Sequence, residues 1–177
     1  MLPVRQSLSA EQVVPLILAG QPLSNLNVIG SVVLIISDDY VLPPVSLTNC
    51  HFQRFNASIT GFSGPVTFQD CRFDEARFFG TYFLGGARFI NCIFTGEVDF
   101  SAGGHNTPPA EVVLEHCEFR QYVDFFDVWY TGPVRIQNCR FLGGTNLLIY
   151  LSEPYGSTLE YPPLVLENQG DLGLERH

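Results

Sequence analysis

A chain of 177 residues is about one domain's worth of sequence, and with 46% apolar residues it can build a large core, which excludes disorder and a collagen-like chain. All nine cations are arginines and lysine is absent, which removes a P-loop NTPase, whose lysine reaches the terminal phosphates, and any Schiff-base enzyme. The net charge of −9 repels a polyanion and argues against direct nucleic-acid binding.

In chain order, Arg5 and the run Val13-Val14-Pro15-Leu16-Ile17-Leu18-Ala19-Gly20 imitate a signal peptide, but Glu11 and Pro15 interrupt it and the apolar run is short. Residues 1–20 are therefore expected to form an N-terminal cap, helical over 9–19. Ser9 followed by Gln12 reads as a capping box, and Gly20 suits a helix stop. Pro15 predicts a kink or a short helix. No stretch approaches the ~18 apolar residues of a membrane span.

From residue 21 the chain repeats itself. Each cysteine follows a small or apolar residue and a large apolar one, and precedes a phenylalanine by one position. The copies are Val45-Leu47-Cys50-Phe52, Val66-Phe68-Cys71-Phe73, Ala87-Phe89-Cys92-Phe94, Val112-Leu114-Cys117-Phe119 and Val134-Ile136-Cys139-Phe141. The cysteines lie 21, 21, 25 and 22 residues apart, without the close pairs of a zinc site, so the spacing is a structural period. The same two-residue step recurs in Ala57-Ile59, Ala76-Phe78, Val98-Phe100, Val123-Phe125 and Thr145-Leu147, which makes the unit about five residues long. In extended chain its first and third residues point inward and its second outward. Four such sides make one square coil, and coils stack in parallel at ~4.8 Å. A fixed period of roughly 20 to 50 residues marks a solenoid, in which each repeat buries its face against its neighbours.

Val98-Asp99-Phe100-Ser101-Ala102 and Val123-Asp124-Phe125 resemble the motif of the pentapeptide-repeat proteins, and the similarity covers roughly residues 21–170. The resemblance implies an all-β fold: a right-handed parallel β-helix, quadrilateral in section, here of about six coils over residues 21–177 with a short N-terminal helical cap. The chain departs from the motif by placing cysteine at one small-residue position of every clear coil, and by longer units at several corners. Leu23, Leu26-Val28 and Val32-Leu34 fit an earlier coil, and 164–168 fit a truncated last one, giving a rod ~30 Å tall. Open solenoid ends need covers. The polar segment 171–177 is a poor one, so that end is expected to face solvent or to form a homodimer contact.

Three interruptions, 35–44, 101–111 and 148–163, each follow a third side and are expected to replace the fourth, along one edge of the rod. That edge is the candidate partner or ligand surface. Tyr82 and Trp129 take its outward positions, His105 and Asn106 lie in the loop below Trp129, Glu153 and Tyr155 in the loop above, and Asp38, Asp39 and Tyr40 in the lowest loop. The plainer reading makes the insertions neutral loops with Trp129 packed under one. Phe79, Ser101, Phe126 and Leu148 recur after the third-side centre, either as an outward apolar stripe or as more core.

Cys50, Cys71, Cys92, Cys117 and Cys139 form a structural core column, since buried free cysteine packs as a small apolar residue. His51 points outward beside it, and His116 holds the corner position that Asn49, Asp70, Asn91 and Asn138 hold elsewhere, so neither marks a zinc site. No metal or cofactor is expected, nor catalysis. Asp99 and Asp124 stack on one outer face as solvated decoration, and neither a nucleophile elbow nor a phosphate loop is present. The leading reading is a non-catalytic, bacterial-type, cytoplasmic scaffold that offers its edge to a protein partner. The family resemblance implies an alternative, DNA mimicry that protects or inhibits a topoisomerase. A third reading is a carbohydrate- or polymer-binding β-helix with Trp129, Tyr82, Tyr155 and Tyr161 as stacking platforms.

Overall fold

The structure is a computed structural model and describes residues 5–34, 41–152 and 158–176. Among these residues every strand pairing is parallel, and the chain winds as a four-sided β-solenoid of about six coils. The first side is a sheet of Leu23–Ser24, Val45–Thr48, Val66–Gln69, Ala87–Ile90, Val112–Glu115, Val134–Gln137 and Leu164–Leu166. The second stacks Gln6–Ser9, Leu26–Val33, His51–Asn56, Arg72–Arg77, Ile93–Phe94, Glu118–Phe119, Arg140–Phe141 and Gln169–Gly170. The longer strands of this set run on round the corner into the third side, where Val98–Asp99 and Val123–Asp124 continue the stack.

Alternation drives the coil. In Val66–Gln69, Val66 and Phe68 are fully buried while Thr67 and Gln69 face out. The turn from first to second side is made at Asn25, Asn49, Asp70, Asn91, His116, Asn138 and Glu167, all in the left-handed region at φ 51 to 56. Asn and Asp tolerate that region because their short side chains hydrogen-bond locally, so the corner polar column has a backbone cause. The next residue inward is a cysteine in the five coils from Cys50 to Cys139, all buried and free. Each thiol has a carbonyl to donate to: Cys71 to Leu47 at 3.4 Å, Cys92 to Phe68 at 3.3 Å, Cys117 to Phe89 at 3.2 Å. Burial, with the thiols of Cys117 and Cys71 beside it, pushes the Cys92 pKa well up.

Phenylalanine fills the centre. On the second side Phe52, Phe73, Phe94, Phe119 and Phe141 form one stack with ring centroids 4.8 to 5.4 Å apart. On the third, Phe78, Phe100 and Phe125 stack at 5.1 and 5.3 Å. Offset stacks of this kind add to the stabilisation that burial gives.

Two expectations are corrected. The third side of the second coil is not built on the step Ala57-Ile59. Phe55 pairs with Val32 below and Ala76 above, so Phe55 takes the first inward position and Ala57 the third, and Ile59 falls on the next corner at φ 53. The large and small residues have exchanged places relative to Ala76 and Phe78, and the Phe55 ring, 5.9 Å from that of Phe78, fills the space beside Ala57. Total volume is kept, which is what a core tolerates best. The second correction concerns the fourth side, which the insertions carry instead of replacing. Val41, Gly61, Tyr82, Gly104, Trp129 and Thr158 form one continuous column of parallel bridges.

At the N-terminal end, Gln6–Ser9 adds a strand beneath Leu26–Val33 before the helix Ala10–Leu18 begins. The Ser9 and Gln12 capping box is formed, Pro15 lies inside the helix, and Ala10, Val13 and Ile17 are buried against the first coil. At the other end Leu164 and Leu166 are exposed, and only Val165 packs inward among these three. A short helix, Leu147–Ser152, opens the last insertion. The C-terminal segment first continues the ladder onto the sixth coil, Thr145 N–H donating to Asp171 O at 2.8 Å and Leu148 N–H to Leu172 O at 2.8 Å, with Leu172 packed against the core.

Candidate functional site: the edge between the third and fourth sides

The corner between these sides is fixed from inside. Thr60 and Thr81, both buried, donate their hydroxyls to the carbonyls of Leu34 at 2.9 Å and Ala57 at 2.8 Å on the coil beneath. Beyond this corner the chain must pass one outward residue per coil. On the third and fifth coils that residue is Tyr82 or Trp129, 43% and 48% exposed. Three residues earlier in the same coils stand Phe79 and Phe126, 42% and 50% exposed. Phe79, Phe126 and Leu148 therefore point outward, while Ser101, their counterpart on the fourth coil, is buried and donates to Asp99.

The fourth coil joins the two aromatic pairs. The His105 ring centroid lies 4.2 Å from that of Tyr82 and 5.2 Å from that of Trp129, tilted 48° and 46°. Partial burial between them pushes the imidazole below its ordinary pKa. His105 reaches this place because the backbone of Gly104, at φ 112, runs tight beneath the fifth coil; a Cβ there would collide with the Trp129 carbonyl. Only glycine fits.

Asn106 does not belong to this surface, which corrects its place among the binding candidates. It is fully buried, and its side chain clamps the insertion to the coil above, donating to Ala110 O at 2.8 Å and Pro133 O at 3.0 Å and accepting from Gly132 N–H at 3.1 Å. A loop that leaves the ladder must satisfy its backbone groups some other way, and Asn106 does so. Asp38, Asp39, Tyr40, Glu153 and Tyr155 lie outside the described residues. Tyr161 is exposed beyond the fourth side of the sixth coil.

The other faces are decorated differently. On the second side the His51 ring and Asp74 meet at 2.8 Å, and Arg72 donates to the same carboxylate at 3.1 Å. Burial works to raise the Asp74 pKa, but the His51 and Arg72 hydrogen bonds outweigh it and hold it below its ordinary value. Arg140 pairs with Glu118 at 2.8 Å, and on the first side Arg135 spans Glu111 and Glu115. Asp99 and Asp124 sit in register on the third side, and each accepts a backbone N–H two residues on, from Ser101 at 2.9 Å and Phe126 at 2.8 Å. No described helix is long and apolar enough to cross a membrane.

Residues 60–103 match a family model described as pentapeptide repeats (9 copies), a stretch that runs from the end of the second coil through most of the fourth. No curated protein and no solved structure matches the chain.

Proposed function

We propose that this pentapeptide-repeat protein is a non-catalytic scaffold that docks a protein partner on the edge between its third and fourth sides. The observation that carries the reading is the paired aromatic array: Phe79 and Tyr82 on one coil, Phe126 and Trp129 two coils above, with His105 bridging them. Every other phenylalanine is buried, so these rings are surplus to the core. Aromatic side chains presented on a rigid element are the usual anchors of protein interfaces, and contiguous exposed apolar surface marks interaction sites. Five buried free thiols suit a reducing compartment, and the proposal places the protein in the cytoplasm.

The alternatives have less support. A DNA mimic needs an unbroken negative stripe, yet Arg72, Arg88, Arg135 and Arg140 stand at outward positions of the first and second sides, several of them paired to the nearest acids. A sugar-stacking platform needs coplanar faces, and the His105 ring between Tyr82 and Trp129 is tilted by 48° to the one and 46° to the other.

The test is affinity capture from a native lysate with three baits: the wild type, Phe126→Ser/Trp129→Ser, and Arg88→Ser on the first side as control. A partner held by the wild type and the control but lost by the edge variant is expected. Equal recovery on all three baits contradicts the assignment of the edge.

A further inference from the structure

A second surface lies on the third side, round the corner from the aromatic edge. A groove of about 790 Å³ runs up this side from the third coil to the sixth, and its lining carries five carboxylates against two guanidinium groups. Its floor is the outward column Arg77, Asp99, Asp124 and Asn146. Asp99 spends its Oδ1 on Ser101, and Asp124 spends its Oδ1 on Phe126 N–H and the Asn146 amide. Among the described residues the two Oδ2 atoms have no hydrogen-bond donor, and they belong to register-paired residues about 4.8 Å apart.

The groove already holds a cation, supplied by the chain itself. After bonding to the sixth coil, the C-terminal segment descends the rod. Leu174 N–H donates to Thr145 O at 2.9 Å, the Tyr122 hydroxyl donates to Leu174 O at 3.1 Å, and Arg176 reaches the fourth coil. There its guanidinium lies 4.1 Å over the Tyr122 ring and donates to Glu97 at 2.6 Å. A planar cation on an aromatic face with a carboxylate at its edge is an arginine-recognition geometry, which a lysine ammonium matches less well. Both partners are open to solvent, Arg176 at 48% and Glu97 at 65%, and ion pairs so exposed are weak.

We propose that this groove is a recognition site for an extended, arginine-bearing peptide segment of another protein, and that residues 171–176 form a built-in strap whose Arg176 occupies the arginine seat until the partner displaces it. The incoming arginine takes the place over Tyr122 and beside Glu97, with the free oxygens of Asp99 and Asp124 available to a further cation on the same segment. Arg77 at the lower end repels cations and limits the seat to the fourth coil and above. The site is independent of the aromatic edge except at Phe126, which borders both.

Fluorescence anisotropy with a fluorescein-labelled Gly-Arg-Gly-Arg-Gly amide, and its lysine counterpart, tests this on the full chain. Arg176→Ala vacates the seat and is expected to bind the arginine peptide about threefold to fivefold more tightly than the wild type, the gain that loss of one exposed pair allows. Adding Glu97→Gln to that variant should remove the gain, and the lysine peptide should bind more weakly than the arginine one. Arg140→Ala makes the same charge change on the second side and should leave affinity at the wild-type level. The proposal is overturned if Arg176→Ala binds no better than wild type, if Arg140→Ala tightens binding as much, or if the lysine peptide binds equally well.

Discussion

The corner between the first and second sides and the edge between the third and fourth are built from one repeat but answer to different demands. At the first, seven residues share φ 51 to 56 and five buried cysteines share one position, because every coil must turn there and each inner coil packs a small side chain behind the turn, with the larger Leu26 and Asn168 only at the end coils. At the second, tyrosine, glycine and tryptophan succeed one another, loops leave and rejoin, and large rings stand in solvent. Regularity marks the positions that packing dictates. Where the sequence is irregular but the backbone column is unbroken, core packing does not dictate the side chain.

The largest effect that can sharpen this contrast is on the regular sides. Phe94→Ala removes the middle ring of the five-membered stack, 1% exposed, and should lower stability by about 3–5 kcal/mol in urea unfolding. Next is Asn106→Ala, which leaves Gly132 N–H and the Ala110 carbonyl without the side chain that pairs them and takes one of two donors from the Pro133 carbonyl, whose other donor is Val112 N–H. A loss of about 1–3 kcal/mol is expected, and hydrogen exchange should rise in 101–111 before it rises elsewhere. A smaller pair of opposite sign tests the corners. Ile59 is β-branched and held at φ 53, so Ile59→Gly should raise stability by about 1 kcal/mol, whereas Asn91→Ala, at φ 52, should lower it by about as much.

The smallest effect is a pH dependence. The Asp74 pKa is depressed in the folded chain, so the carboxylate contributes stability above its unfolded value, and this is lost as pH falls through the folded one. Asp74→Asn should therefore flatten the acid limb below about pH 4 and leave the curve near pH 7 parallel to wild type. An unchanged acid limb would mean that the His51 and Arg72 contacts contribute nothing to folding.

How much of this was legible in the sequence follows the same division. The cysteine spacing, the polar corner and the inward phenylalanines each recur in several copies, so the sides, the stacking and even His116 as a corner residue can be read directly. The Phe55 and Ala57 exchange could not, because both residues are apolar and only register shows that their sizes have traded places. Asn106 was misread because an asparagine after two glycines looks like a loop tip, and its buried clamp depends on Gly132 and Pro133, a whole coil away. The strap was invisible for a similar reason: Tyr122, Glu97 and Arg176 are brought together by the descent of a tail that carries no repeat. Tyr82 and Trp129 were legible as outward residues, but their link through His105 needs the tight passage of Gly104.

The central claim is that the edge aromatics are not needed to fold the rod, and urea unfolding of Phe126→Ser/Trp129→Ser tests it most directly. The account predicts a stability within about 0.5 kcal/mol of wild type for each substitution, as for surface positions in general. A loss approaching that of Phe94→Ala would make these rings part of the core and remove the basis for reading the edge as a binding surface.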